Sequence, residues 1–294
     1  MTIAPTGTQY QLTHGRYGAT ITEVGAVLRS LTVDGREVLW SFAEHEAPRS
    51  SMGRQLIPWP NRIRDGKYSF DGTDYQLPIT EVPRKNASHG LGVGLPWTLV
   101  SHTDSAITQR ATIYPQAGWP FVLTAEITQE LGDDGVTVTV RVRNDGTAPL
   151  PYGYGVHPYF TVPEGVETAR LRAPFTRRLL VDDRMLPTDL VLIEGGEYDL
   201  TEEVVIDDLF LDTAFTGAPG AWEVELTTAE STVTVWADEN LPWCQLFIPV
   251  SRDAVAVEPM TCGPNAFNPG PTHDELIVLR PGDEHRVQWG IRVS

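Results

Sequence analysis

Leu123-Thr124-Ala125-Glu126-Ile127-Thr128 and, past a Gly132-Asp133-Asp134-Gly135 link, Val136-Thr137-Val138-Thr139-Val140-Arg141-Val142-Arg143 decide the fold class. Apolar and polar residues alternate through both runs. A period of two is what a strand with one buried and one wet face requires, whereas a helix would space its apolar residues three and four apart. The glycines and aspartates of the link tolerate the positive φ of a tight reversal, so the two runs read as an antiparallel hairpin.

The same signature recurs on either side. Asp34-Gly35 separates Leu31-Thr32-Val33 from Val38-Leu39-Trp40, and Asp71-Gly72-Thr73-Asp74 separates Tyr68-Ser69-Phe70 from Tyr75-Gln76-Leu77. Val233 and Val235 run into an acidic turn at Asp238-Glu239-Asn240, and the chain closes on Val287, Trp289, Ile291 and Val293 in alternation. Many short strands punctuated by Gly, Asp and Pro predict an all-β sandwich or barrel. Only Leu200 to Leu211 leaves room for a single short turn of helix. The 23 prolines and 26 glycines are spread along the chain without a linker or repeat, so residues 1–294 read as a single domain.

A net charge of −17 disfavours nucleic acid and anionic membrane as partners, because both need a positive patch. Two cysteines, Cys244 and Cys262, are too few for a disulfide framework and lack metal-ligand spacing, which fits a reducing, cytoplasmic setting. Met1 to His14 lacks a basic segment followed by an apolar run, and no stretch approaches the ~18 apolar residues of a membrane span.

Four loops carry candidate chemistry. Pro58-Trp59-Pro60-Asn61-Arg62-Ile63 stiffens the approach to an Asn-Arg pair rich in hydrogen-bond donors. Asn86-Ala87-Ser88-His89-Gly90 sets a histidine beside a glycine, where a ligand can come close. Tyr152-Gly153-Tyr154-Gly155-Val156-His157-Pro158-Tyr159-Phe160 surrounds His157 with aromatics; this is either a proton carrier or a core imidazole. Ala254-Val255-Ala256-Val257-Glu258-Pro259 ends an apolar run on a carboxylate whose burial would tune it as a base. Glu44-His45-Glu46 reads as a solvated acidic turn rather than a metal site. No phosphate loop, dinucleotide fingerprint or nucleophile elbow is present.

Together and in this order, Asn61-Arg62-Ile63, Ser88-His89-Gly90, His157-Pro158-Tyr159-Phe160 and Glu258-Pro259 resemble the motifs of the aldose 1-epimerase (galactose mutarotase) family. The resemblance implies a β-supersandwich of large antiparallel sheets with a monosaccharide in a cleft across one of them. It implies Glu258 as catalytic base and His157 as catalytic acid, with Asn61, Arg62, His89, Tyr159 and Gln245 binding substrate. For the family's binding aspartate it points to Asp207, within Ile206-Asp207-Asp208-Leu209-Phe210, with Asp208 as the alternative. No metal or other cofactor is required, and a monomer or homodimer is expected.

The expected reaction is interconversion of the α and β anomers of a hexose by acid/base ring opening. A hexose-6-phosphate epimerase would need cations at the distal end of the sugar, for which Arg84-Lys85 and Arg177-Arg178 are the available clusters. A non-catalytic carbohydrate-binding protein or a two-carboxylate glycosidase are readings from other classes.

Overall fold

A computed structural model describes residues 3–294. The hairpin that opened the sequence analysis is its longest ladder. Leu123–Gly132 pairs with Gly135–Asn144 from Leu123↔Asn144 to Gly132↔Gly135, so the turn itself is only Asp133-Asp134. Gly135 sits at φ 136, and a Cβ there would strike the Ile291 carbonyl of the next strand. Val136, Val138, Val140 and Val142 are buried, while Arg141 and Arg143 are exposed, as the alternation requires.

This hairpin belongs to a nine-stranded sheet in the order Thr98–His102, Ala106–Ile113, Leu123–Gly132, Gly135–Asn144, Glu284–Val293, Thr232–Ala237, Trp222–Thr227, Arg170–Arg172, Val204–Val205. A second, eight-stranded sheet runs Pro187–Leu192, Arg177–Val181, Asp212–Thr216, Trp243–Phe247, Ala254–Met260, Gly155–Val156, Gln55–Leu56, with Tyr159–Thr161 also paired to Ala254–Met260. A four-stranded sheet from Gln9–His14 to Arg36–Glu37 accompanies them. All the ladders are antiparallel. Among the described residues helix is limited to short 3-10 turns, as at Val82–Arg84 and His273–Glu275. The expected helical turn between Leu200 and Leu211 is absent: Val204–Val205 extends as an edge strand against Arg170–Arg172, because Val204 packs against the core there. No helix is long and apolar enough to cross a membrane.

The two large sheets bury one face of each against the other. Val138, Val140, Trp289 and Ile291 share a core with Val156, Phe160, Phe215, Leu246, Val255 and Val257. Burying each such side chain stabilises by roughly 1.5–3 kcal/mol relative to exposure. The alternate residues of the eight-stranded sheet therefore point outward, and that outward face carries the site. Two small apolar clusters lie on it. Tyr159, Ala254 and Ala256 belong to one, and Ala214, Trp243 and Met260 to the other.

Candidate active site

Glu258 lies between those clusters on its own strand, with Ala256 on one side and Met260 on the other. The ladder places Gln245 directly across from Glu258, and Ala214 across from Gln245. Asp212, two residues before Ala214, shares its face. On the other flank Pro158 separates Gly155–Val156 from Tyr159–Thr161, and His157 occupies the break. Backbone bonds on both sides hold the break: Gly53 N–H donates to the His157 carbonyl at 2.8 Å, His157 N–H to Arg54 at 3.2 Å and Val257 N–H to Pro158 at 3.3 Å. A row of polar side chains, Gln245, Glu258 and His157, so crosses the sheet at one level, with Asp212 one step along its strand on the same face.

His157 Nε2 stands 3.3 Å from Glu258 Oε1, with the side chains only 8% and 3% exposed. The Tyr159 ring stacks on the imidazole at 4.7 Å and 16°, and Tyr159 itself is anchored by donating its hydroxyl to the Ser50 carbonyl at 3.0 Å. His89 meets His157 edge-on at 5.6 Å. It is carried at φ 64 and tied by its N–H to the Asn61 carbonyl at 2.8 Å. The next residue, Gly90, allows the close approach: a Cβ there would collide with the Ile57 carbonyl.

A hydrogen-bonded chain links the remaining residues. Arg62 Nη1 donates to Asn61 Oδ1 at 3.0 Å, Asn61 Nδ2 to Gln245 Oε1 at 3.4 Å, and Gln245 Nε2 to Asp212 Oδ1 at 2.8 Å. Burial and the neighbouring Asp212 push the Glu258 carboxyl well above the usual range, and Arg62 opposes them. Burial also raises Asp212, again against Arg62. His157 is held well below the ordinary imidazole range by burial first and then by His89, Arg54 and Arg62. Neither His157 Nδ1 nor His89 Nδ1 has a hydrogen-bond partner, though both atoms are buried. Buried polar atoms left unpaired are rare and costly.

Asn61, Arg62, His89, His157, Tyr159, Gln245 and Glu258 thus come together. Asp207 does not. It is exposed at φ 42, in a turn after buried Ile206, and its carbonyl is taken by Arg252. Asp208 is exposed as well. Asp212 occupies the place expected for either. The sequence holds an aspartate three residues before a phenylalanine twice, Asp207 before Phe210 and Asp212 before Phe215. What separates them is alternation: Leu211, Thr213 and Phe215 face inward and are buried, which turns Asp212 to the outer face. Arg54 is a second residue the sequence reading did not place. It is the cross-strand neighbour of His157, and its buried Nε has no partner. Among the described residues no group of three His, Cys, Asp or Glu is arranged to hold a metal ion.

An imidazole and a carboxylate in contact lie among hydrogen-bonding side chains on the outer face of a large antiparallel sheet. The aldose 1-epimerase family model matches residues 8–292, and the chain belongs to that family. It is 34% identical over 289 residues to the uncharacterized protein YihR of Escherichia coli K12, covering 97% of this chain and 93% of that one. With the galactose mutarotase of Rattus norvegicus it shares 26% identity over 212 residues, 67% of this chain and 61% of that protein. Its fold superimposes on the GalM/aldose epimerase homologue from C. elegans with a TM-score of 0.86 at 19% identity, over 98% of both chains. A galactose mutarotase-like protein from Clostridium acetobutylicum superimposes with a TM-score of 0.83 at 19% identity, over 97% of this chain and 94% of that one. The architecture is the galactose mutarotase-like one.

Proposed function

We propose that this protein is an aldose 1-epimerase that interconverts the α and β anomers of a free hexose, with Glu258 as base and His157 as acid. The observation that carries the reading is the 3.3 Å contact between His157 Nε2 and Glu258 Oε1. In a cyclic aldose the anomeric hydroxyl and the ring oxygen are bonded to the same carbon. A base for the one and an acid for the other must therefore be near neighbours.

Glu258 takes the proton of the anomeric hydroxyl while His157 delivers its Nε2 proton to the ring oxygen. The C1–ring-oxygen bond breaks and C1 becomes the aldehyde. After rotation about the C1–C2 bond, the hydroxyl at C5 adds to the other face of the carbonyl. His157 recovers its proton and Glu258 returns the one it took. Each positioned group typically contributes ~10²–10⁴-fold. Arg62, His89, Asp212 and Gln245 hold the remaining hydroxyls, so that only the first carbon moves.

Burial disfavours the charges of both Glu258 and His157, so the working form is the one in which the pair holds a single proton. A sugar hydroxyl donating to Glu258 stabilises its ionised form and leaves that proton on His157. Free rather than phosphorylated sugar is favoured because one member of each cation cluster is already engaged: Arg84 pairs with Glu81 at 3.1 Å, and Arg178 stacks on Tyr198 at 4.0 Å.

Polarimetry on freshly dissolved α-glucose and α-galactose tests the reading, with glucose 6-phosphate and aryl glycosides in parallel. Acceleration on the free hexoses alone is expected. Exchange restricted to the phosphate ester, cleavage of a glycoside, or sugar binding without acceleration would each replace this assignment.

A further inference from the structure

Arg62 does not stand free at the site. Its Nε lies 3.2 and 3.0 Å from the two Glu81 oxygens, and its Nη2 donates to Oε1 at 3.1 Å. Both side chains are largely enclosed, 14% and 17% exposed. With Nη1 also committed to Asn61, only two of the five guanidinium N–H groups remain for a ligand. Glu81 in turn is over-determined. It accepts from Arg84 Nη1 at 3.1 Å and from Asn86 Nδ2 at 2.9 Å. Asn86 is fully buried and donates its other N–H to the Arg184 carbonyl at 3.1 Å. Arg184 spans Asp65 Oδ1 at 2.7 Å, the Arg84 carbonyl at 2.9 Å and the Lys85 carbonyl at 3.2 Å. A continuous hydrogen-bonded series so runs from the surface at Asp65, through Arg184, Asn86, Glu81 and Arg62, to Asn61, Gln245 and Asp212.

We propose that Glu81 is a positioning residue for sugar binding: it fixes the plane of the Arg62 guanidinium and partly cancels its charge, so that Arg62 presents two aimed N–H groups to the substrate. A forked carboxylate is the partner that can do this, since two parallel bonds set an orientation where one would leave a swivel. The charge matters too. Arg62 pulls down the carboxyls of both Glu258 and Asp212, and Glu81 counters it at Asp212 and at His89. The groups facing Glu258 are His157, Asp212, Arg62, the Tyr159 hydroxyl and the Cys244 thiol. Those facing Glu81 are Arg62, Arg84 and Asn86, with His89 and Asp212 beyond them. Removing the Glu81 charge leaves Arg62 uncompensated among them.

The kinetic part rests on the anomer-exchange reading; the placement of Arg62 does not. The full chain is compared with Glu81→Gln and Glu81→Asp. In Glu81→Gln, KM for the sugar is expected to rise about tenfold with kcat within about threefold, the pattern of lost uniform binding. The acid limb of the pH–rate profile should move to lower pH, because an uncompensated Arg62 holds the Glu258 carboxyl down. Glu81→Asp keeps the charge on a shorter arm, so KM should rise while the acid limb stays. Independently of activity, the Arg62 Nε–H resonance in nitrogen-15 spectra should exchange slowly with water in the wild type and at least about tenfold faster in Glu81→Gln. A purely structural Glu81 would lower the folded fraction, and so the apparent kcat, with KM, pH profile and Nε–H exchange unmoved; that result overturns the proposal. Should Glu81→Gln not fold, an unchanged KM in Glu81→Asp overturns it equally. A wild type without anomer exchange sinks the function assigned above and leaves the Nε–H measurement to decide on Glu81.

Discussion

The outer faces of the two large sheets are built alike and populated differently. On the nine-stranded sheet, Thr108 meets Thr128 at 2.9 Å, half-buried, while Arg141 meets Glu284 at 2.7 Å and Arg172 meets Glu225 at 2.8 Å in the open, each pair across neighbouring strands. The one bulky aromatic there, Trp236, lies over Gly290, where a glycine leaves the sheet bare and an indole covers it. A cleft of about 740 Å3 opens beside it, and both arginines on its walls are in ion pairs, Arg172 with Glu225 and Arg292 with Glu223. On the eight-stranded sheet the polar row is buried, set between apolar clusters, and short of partners at His89, His157 and Arg54. Cavity size and the buried polar row point to different faces. Clustered titratable groups that are buried and strongly shifted mark a candidate site better than volume does.

The sharpest way to break this contrast is Glu258→Gln. It removes the base while preserving shape, and kcat for anomer exchange should fall by about 10³-fold or more with sugar binding still measurable by calorimetry. A variant as fast as the wild type would take Glu258 out of the base role. His157→Gln comes next, with a fall of about 10²-fold. In the wild type the rate drops on the acid side when the pair gains a second proton and on the alkaline side when it loses its only one. Without His157 a single ionisation should remain, with activity lost as pH falls through the Glu258 value. That limb should lie above the ordinary carboxylate value of about 4.3, because burial and Asp212 raise it. A limb at or below the ordinary value would contradict the burial argument.

Asp212→Asn should cost about 10–100-fold in kcat/KM, the worth of a charge-assisted hydrogen bond to the substrate, while Asp207→Asn leaves kcat/KM unchanged. The reverse outcome would restore Asp207 to the site. The smallest effect belongs to the other sheet. Arg141→Ala with Glu284→Ala should shift Tm by no more than about 2 °C and leave anomer exchange untouched, since exposed pairs are screened. A marked loss of activity there would mean that the two faces are not independent.

Period-two alternation made the all-β architecture and the valine ladder from Val136 to Val142 readable from sequence, because each strand writes its own burial pattern. Glu258, His157, His89 and Arg62 were readable because stiff glycine- and proline-rich neighbours mark them. Asp212 was not, since its motif is duplicated five residues upstream and the two copies part only once the strand Asp212–Thr216 and its buried face are known. Glu81 left no trace either. Nothing local marks a carboxylate that reaches Arg62 across 19 residues of chain, and only the pairing of Arg62–Arg64 with Asn86–Ser88 brings it there.

Pro158 splits what would be one strand into two, and both pieces dock on Ala254–Met260. The spacing of His157 and Glu258 is therefore written into main-chain pairing rather than left to flexible side chains. On the proposed function such a pair is assembled when the chain folds, with no closing motion required for each sugar that arrives. Turnover should then be as quick in thickened, glycerol-rich solution as in water until diffusion of the hexose itself becomes limiting.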